Sequence, residues 1–266
     1  MTIEYQETAK DLLTRIDIHQ KYGARDIDQW MIELLQPSPG DVILDVGCGA
    51  GKQCFLYWEK TAGKASITGG DISQELLEKA RAENARRGAS IRFMELDFNQ
   101  PFPFAAEQFD LVSCSFAIYY AGDIPFTLRE MHRVLKTGGR LFTTGPMPEN
   151  KKVFYDIIRA ASGKPIPPMP GSSRYASLIL NTMRDLFRQV EVHIFENPLT
   201  FETVEPFLEY TRASLSEDRK LWKPLFQSKQ EFENLMQAIE REARAWIARE
   251  GKIVMTKVVG GFIATK

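Results

Sequence analysis

The stretch VILDVGCGAGK, residues 42–52, decides how the rest of the chain is read. Five residues of buried-strand character run straight into Gly47, Gly49 and Gly51 and then into helical sequence. Glycines there let the chain turn tightly and bring its backbone against a ligand, because a side chain would occupy that space. Two nucleotide motifs are compared with it directly. A Walker A loop fails twice, since Val46 stands where its first glycine belongs and Gln53 follows Lys52. A dinucleotide fingerprint needs Gly-x-Gly-x-x-Gly, and here Lys52 holds the place of its third glycine, which disfavours a pyrophosphate site and an NAD-dependent oxidoreductase.

Outward from this turn the pattern alternates. Helical sequence over 52–62 precedes ITGGD, helical sequence over 73–87 precedes IRFMEL, and FDLVSCSF and RLFTTG flank a helix over 124–135. Alternation with short connections is the signature of parallel strands joined by crossover helices, a doubly wound α/β sheet. Residues 3–36 read as helical, with apolar clusters around Leu12, Leu13 and Ile16 and around Trp30, Met31 and Leu34. Past residue 146 the expectations are a helix over 149–162, an irregular GKPIPPMPGSS segment forming a surface loop or lid, a helix over 174–188 and the strand VEVHIF. A long amphipathic helix is announced by Ser228 and Glu231 at capping-box spacing. The final strand IVMTKVVGGFIAT has a glycine pair read as a bulge or bend, and it is placed beside VEVHIF.

The chain has 266 residues and a formal net charge of -1, with acidic and basic residues interspersed, so no polycation stands ready for a nucleic-acid backbone. Cys48, Cys54 and Cys114 have no metal-ligand spacing, and no metal is expected. The opening residues MTIEYQETAKDLL carry neither a basic leader nor an apolar block, and no apolar run spans a bilayer. The expectation is a soluble, cytoplasmic monomer or homodimer acting on a small molecule, with neither nucleic acid nor membrane as partner.

Asp71 ends the second strand about twenty residues beyond the glycine loop, where a carboxylate accepts hydrogen bonds from both ribose hydroxyls; a helix-capping role is its plainer alternative. Asp97 and Phe98 end the third strand, where a carboxylate meets an adenine amino group and an apolar neighbour covers the ring, or where a polar strand exit adjoins a core aromatic. VILDVGCGAGK, ITGGDIS, ELDF, FDLVSCSFAIYY and EMHRVLKTGGRLFTTGP together resemble the successive motifs of class I S-adenosylmethionine-dependent methyltransferases, in their small-molecule branch. The resemblance spans about residues 38–146 and implies a seven-stranded, mostly parallel sheet with an antiparallel final strand. It implies S-adenosylmethionine as cofactor and S-adenosylhomocysteine as product. Gly47, Gly49 and Gly51 would approach the methionine portion, Asp71 would hold the ribose and Asp97 with Phe98 would contact the adenine, with Cys48 and Ile72 as further cofactor-binding residues and Tyr22 as a cover. Ser115 and Phe116 would lie where the cofactor passes toward the acceptor.

Relatives that do oxygen chemistry place a histidine after the fourth strand, whereas this chain has Tyr119 and Tyr120, read equally as acceptor-orienting hydroxyls or as packed rings. Residues 1–36 are expected to cover a domain of residues 37–266, with His19 as a candidate catalytic group and Tyr22 as a candidate cofactor cover. His132 and His193 read as structural. Lid elements are expected at about 149–180 and 201–250, with Tyr155, Met169, Arg174, Tyr175, Tyr210 and Trp246 as candidate lining groups. The rival functions are a non-catalytic scaffold of the same fold and a protein methyltransferase.

Overall fold

The computed structural model describes residues 9–167, 169–216 and 219–266. Helices α1 (Ala9–Tyr22) and α2 (Ile27–Leu35) precede an alternating run of β1 (Val42–Val46), α3 (Lys52–Lys60), β2 (Ser66–Asp71), α4 (Gln74–Arg87), β3 (Arg92–Glu95) and β4 (Phe109–Ser115). A short 3-10 turn at Ile118–Tyr120 leads to α5 (Ile124–Val134), β5 (Leu135–Pro146) and α6 (Lys152–Ser162). Helix α7 (Pro170–Ser173) passes through a π-helical segment, Arg174–Ile179, into α8 (Leu180–Leu186). Strand β6 (Gln189–Phe201), helices α9 (Val204–Ser216), α10 (Arg219–Trp222) and α11 (Lys229–Glu250), and strand β7 (Ile253–Thr265) complete the order.

The seven strands lie in the order β3-β2-β1-β4-β5-β7-β6. Strands β1 to β5 run parallel, and β7 is antiparallel to both its neighbours, β5 and β6. Strands buried on both faces need continuous apolar sequence, which VILDV and FDLVSCS supply. One face packs Leu128 and Met131 of α5 and Met183 of α8 against Leu44, Val112 and Phe262, and the other packs α2, α3 and α4 against Ile43, Ile67 and Phe142.

Several expectations change in detail. The helical stretch read over 3–36 is two helices, because the Asp26 carboxylate caps α2 by accepting from the amides of Asp28 at 2.8 Å and Gln29 at 3.3 Å. Residues 3–8 of that stretch and the Leu12 side chain lie outside what is described. The irregular GKPIPPMPGSS segment ends earlier than expected, since Pro170 opens α7, a position where its missing N–H costs nothing. Ser228 caps α11 as its spacing implies, accepting from the Glu231 amide at 3.1 Å, but Glu231 reaches the Gln227 amide instead of closing the box on Ser228.

The glycine pair in β7 makes no bulge, because the register runs unbroken on both sides of it. Its reason is clearance. Gly260 stands opposite Gly145 of β5, and together they seat the Tyr175 ring, which stacks on Phe262 at 4.4 Å between centroids. A Cβ at Gly145 would lie 2.5 Å from that ring, and one at Gly261, facing the other way, 2.7 Å from Trp30.

Strands β6 and β7 outrun the rest of the sheet. Regular pairing with β5 ends at Pro146↔Val259, so residues 196–201 and 253–258 continue as a two-stranded ribbon, roughly 20 Å past the end of β5 at ~3.3 Å per residue. Because β7 is antiparallel, the ribbon rises from the end of the sheet where the parallel strands finish. It carries a core of its own, in which Leu199, Phe201 and Met255 meet Phe154, Phe207 and Ile239 of α6, α9 and α11. Pro198 is tolerated in it because β6 is an edge strand.

Gly145→Ala should destabilise the fold by about 1–3 kcal/mol in urea unfolding, because the Tyr175 ring is wedged against Phe262 and its hydroxyl donates to the Thr143 carbonyl at 2.7 Å. An unchanged unfolding midpoint would show that the ring can give way.

Candidate active site

The turn after β1 is built by three left-handed glycines, with φ of 71° at Gly47, 55° at Gly49 and 83° at Gly51. The amides of Gly47 and Cys48 both donate to the Gly70 carbonyl, at 2.7 and 3.0 Å. The Gly49 amide donates to one Asp71 carboxylate oxygen at 2.8 Å, and the Ser73 amide donates to the other at 2.9 Å. Asp71 therefore ties the glycine loop to the start of α4, and Ser73 caps that helix. A Cβ at Gly47 would fall 2.6 Å from Ala117 and one at Gly51 2.8 Å from Phe93, so packing excludes side chains there. At Gly49 the nearest atom would be 3.9 Å away, which leaves the space before the loop open.

A cavity of about 1010 Å³ opens beside this loop. Of the residues singled out from sequence, His19, Gly47, Cys48, Ser115, Phe116, Tyr119 and Tyr120 line it. Gly49, Gly51, Asp71, Ile72, Asp97 and Phe98 lie outside its lining, along the ends of β1, β2 and β3. Ile72 is 61% exposed, an apolar side chain in the open directly after Asp71. Asp97 accepts from the amide and the side-chain nitrogen of Asn99, both at 2.9 Å, and Asn99 in turn accepts from the Gly122 amide at 2.7 Å. Phe98 is half-buried beside Gly47. Tyr22 joins neither group, since its ring packs on Phe201 of the ribbon at 5.3 Å.

Two cavity-lining residues carry unusual backbone. Phe116 and Lys151 are non-glycine residues in the left-handed region, with φ of 56° and 61°. Such strain persists only where the surroundings impose it. The Phe116 amide donates to the Thr144 carbonyl at 3.0 Å, which turns the chain off β4 into the Tyr119–Tyr120 segment. Arg174 then fixes that segment by donating to the carbonyls of Tyr119 at 2.8 Å and Ala121 at 2.6 Å. Ser115 Oγ is buried with no hydrogen-bond partner among the described residues.

The remaining walls come from far along the sequence. After β5 the chain zips along the ribbon: the Met147 amide donates to Val258, the Lys151 amide donates to Thr256, and the Asn150 side chain accepts from the Val258 amide at 3.1 Å. The link between α1 and α2 is clasped by Asn197, whose Oδ1 accepts from the amides of Ala24 at 2.8 Å and Arg25 at 3.0 Å while its Nδ2 donates to the Arg25 carbonyl at 2.9 Å. Lys52, at the start of α3, pairs with Asp28 of α2 at 2.7 Å. Of the lining groups expected in the lid, Tyr155 and Met169 do line the cavity. Arg174 instead holds the tyrosine turn. Tyr175 is sealed in the core, Tyr210 is buried beneath His19, and Trp246 is half-buried on α11 with Arg249 over its ring.

Burial shifts two lining groups in opposite directions. His19 is held down to about 2 by burial, reinforced by Lys257, Lys151, Arg15 and Lys52. Asp45, at the heart of β1, is pushed up to about 7 by burial, against the hydrogen bonds of Ser113 at 2.6 Å and Cys54. His132 and His193 lie elsewhere: His132 packs on Phe187 of the α8 side, and His193 sits on edge strand β6 beside Glu191 at 3.3 Å. The three cysteines are buried thiols, and among the described residues no cluster of three or more His, Cys, Asp or Glu is arranged to hold a metal. No described helix is long and apolar enough to cross a membrane.

Sequence reading missed Arg15, Asp45, Asn150, Lys151, Asn197, Trp222 and Lys257, all of which line the cavity. Asp45 was visible inside VILDV, but only the structure shows it to be buried and facing the site. The lysines and asparagines carry no local signal, because a lone polar residue in a strand or after a turn is ordinarily solvated.

A family model described as a methyltransferase domain matches residues 43–139. The nocamycin O-methyltransferase of Saccharothrix syringae is 32% identical over 124 residues, which is 47% of this chain and 44% of that protein. The demethylmenaquinone methyltransferase of Symbiobacterium thermophilum is 35% identical over 150 residues, 53% of this chain and 57% of that protein. The chain thus spans about half the length of the curated relatives it matches. Among solved structures, a Haemonchus contortus phosphoethanolamine N-methyltransferase in complex with S-adenosyl-L-methionine superposes with a TM-score of 0.55 at 15% identity, over 97% of this chain and 57% of that one.

The opposed shifts give a testable pH dependence. The folded state refuses the proton that His19 takes up when unfolded, so stability is lost as pH falls below about 6.5. It retains the proton that Asp45 gives up when unfolded, so stability is lost as pH rises from about 4 toward 7. Between pH 7 and 5 the two slopes oppose each other. Asp45→Asn should therefore make the protein lose stability more steeply on acidification over that range, by up to about 1.4 kcal/mol per pH unit, and His19→Asn should do the reverse. Urea unfolding at pH 5 and 7 measures both, and equal slopes in all three proteins would remove these two groups as the cause.

Proposed function

The chain belongs, through the domain that contains its glycine loop, to the class I S-adenosylmethionine-dependent methyltransferases, and on that premise we propose that it transfers a methyl group to a small-molecule acceptor enclosed in the cavity beside that loop. The observation that carries this reading is the junction at Gly47. One cavity of about 1010 Å³ is lined at one end by Gly47, Cys48, Ser115 and Phe116, and at the other by side chains from the N-terminal helices, the 150–172 segment and the ribbon. That volume lies at the top of the range of small-molecule sites and has room for a small acceptor beside part of a cofactor.

The residues present fit the cofactor. Gly49 faces open space that any Cβ would begin to fill, and Ser115 Oγ is a buried hydroxyl with no hydrogen-bond partner among the described residues. In this reading the glycine loop and Ser115 hold the methionine portion, while Asp71 keeps its two backbone hydrogen bonds and accepts the ribose hydroxyls on its remaining lone pairs. Ile72 and Phe98 cover the adenine, and Asp97 accepts from its amino group. When bound, S-adenosylmethionine supplies a methyl group on a positively charged sulfur.

What the chain itself contributes is placement. Methyl transfer is an in-line displacement, so aligning the acceptor with the sulfur and removing water account for most of the work. Tyr119 and Tyr120 stand at the turn after β4, held by Arg174, and orient the acceptor. A His19 that stays neutral down to about pH 2 is a poor proton acceptor, so its role in this reading is to donate or accept a hydrogen bond and not to serve as the general base.

Calorimetric titration with S-adenosylhomocysteine should show one site. Asp71→Ala should weaken it by more than about tenfold, since hydrogen bonds to charged groups are worth about 1.5–3 kcal/mol. Tyr119→Phe should leave that affinity nearly intact while lowering methyl transfer to the acceptor. Absence of S-adenosylhomocysteine binding alongside clear NAD binding would overturn the assignment in favour of a dehydrogenase.

A further inference from the structure

The sheet ends in β6, and only part of that edge is covered. Over residues 196–199 the link between α1 and α2 lies along it: Asn197 clasps Ala24 and Arg25, the Arg25 guanidinium donates to the Glu196 carbonyl at 3.2 Å, and Gly23 bridges to Leu199. Residues 189–195 have β7 on one side, and among the described residues no backbone group bonds to their other side. This stretch, QVEVHIF, exposes two large apolar side chains, Val192 at 40% and Ile194 at 46%. Side chains alternate along a strand, so Val190, Val192 and Ile194 share the face on which Tyr175 lies over Gly260, while Glu191 and His193 share the opposite face. An open edge is ordinarily blunted by lysine, proline or a bulge. Residues 189–195 contain neither lysine nor proline, their register with β7 is unbroken, and Pro198 falls in the part already covered.

The edge is complementary to itself in one register. When two copies of a strand pair antiparallel about a twofold axis normal to the sheet, each side chain keeps its face only if the axis passes through a residue. Through Glu191 the axis would set two carboxylates against each other, which is unfavourable. Through His193 it would oppose that residue to itself and leave Glu191 facing the partner's Phe195. Through Val192 the pairs match: Val192 meets its own counterpart, Val190 meets the partner's Ile194, and Glu191 meets the partner's His193. Gln189 meets the partner's Phe195, whose ring is already covered by Arg25 and Trp30. Just beyond the strands, Arg188 meets the partner's Glu196. Arg188, Glu191 and Glu196 are exposed, and the Glu191–His193 contact within one chain, at 3.3 Å, becomes one side of an alternating array of two acids and two imidazoles.

We propose that the protein forms a twofold-symmetric dimer in which residues 189–195 of β6 pair antiparallel with the same residues of a second copy, joining the two sheets into one. The outer amides and carbonyls of the edge are then hydrogen-bonded, and Val190, Val192 and Ile194 of both copies make one apolar strip. Charge complementarity selects a second copy as the occupant, because acid meets base at every charged position of this register. Phe195 and Asn197 carry the paired stretch on into the cavity wall, so the dimer braces that wall from behind.

Sedimentation equilibrium on the whole protein, at about 1–100 μM, should show a dimer. Val192→Lys opposes two ammonium groups on the axis and should weaken the dimer by at least about a hundredfold, with the far-ultraviolet circular dichroism unchanged. Val192→Cys tests the register itself. Its two copies would have Cα atoms about 4.5–5.5 Å apart, within disulfide range, so mild oxidation by copper phenanthroline should give a covalent dimer on a non-reducing gel. The native thiols of Cys48, Cys54 and Cys114 are buried. Ile194→Cys, whose copies would lie roughly 13 Å apart, should give none. A monomer at every concentration, a dimer that Val192→Lys leaves intact, or equal cross-linking of the two cysteine variants would overturn the proposal. Assembly beyond the dimer would also overturn it, because a twofold contact closes on itself.

Discussion

The bonds from the amides of Gly47 and Cys48 to the Gly70 carbonyl, and from the Gly49 amide to Asp71, fix the point from which the rest of the site is laid out. They hold the turn after β1 against the end of β2, so that the chain reverses within a few residues and the ends of β1, β2 and β4 stand side by side. Only left-handed backbone makes that reversal, and at Gly47 and Gly51 the neighbouring Ala117 and Phe93 occupy the space a side chain would need. The constraint is therefore double, conformational and steric. Phe116 accepts the same strained backbone without being a glycine, which is tolerated because its amide is committed to Thr144 and the following turn is pinned by Arg174.

The second organising feature is the ribbon of β6 and β7. An antiparallel last strand lets the sheet extend beyond the ends of its parallel strands, and the ribbon becomes a wall at the open end of the cavity. Both covering segments are fastened to it, residues 147–151 through backbone hydrogen bonds and the α1–α2 link through the Asn197 amide group. Asn197 satisfies three backbone groups with one buried side chain, a use that places an asparagine in a strand where an apolar residue would ordinarily stand. Gly23 completes the clasp, because a Cβ there would fall 2.7 Å from Asn197 Nδ2. The cavity is thus enclosed by contacts of very long sequence separation, and the cations lining its far end arrive on three different elements.

The sheet itself is shaped by rings. Tyr175 on one face and Trp30 on the other need the facing glycines of β5 and β7, and the sheet accepts the loss of strand propensity because the rings fill the space with apolar contact. The hydroxyl of Tyr175 finds its acceptor in the Thr143 carbonyl, so a large polar side chain is buried without an unsatisfied group.

Much of this was determined by the sequence alone. Crossover alternation over residues 38–146 specified a doubly wound sheet, since strand and helix periodicities are local properties. VILDVGCGAGK specified the turn that begins the site, and Ser228 capped its helix where its spacing placed it. Tertiary structure alone decided the rest. It split the N-terminal helical stretch, moved the reason for Gly260 and Gly261 from a bulge to clearance, and turned Tyr22 toward Phe201. It also made Arg15, Lys151 and Lys257 neighbours. Local pattern encodes which face of an element is apolar, but it does not encode which distant element will cover that face. A buried lysine has the same letters around it as a solvated one until the ribbon and the covering helices close over it.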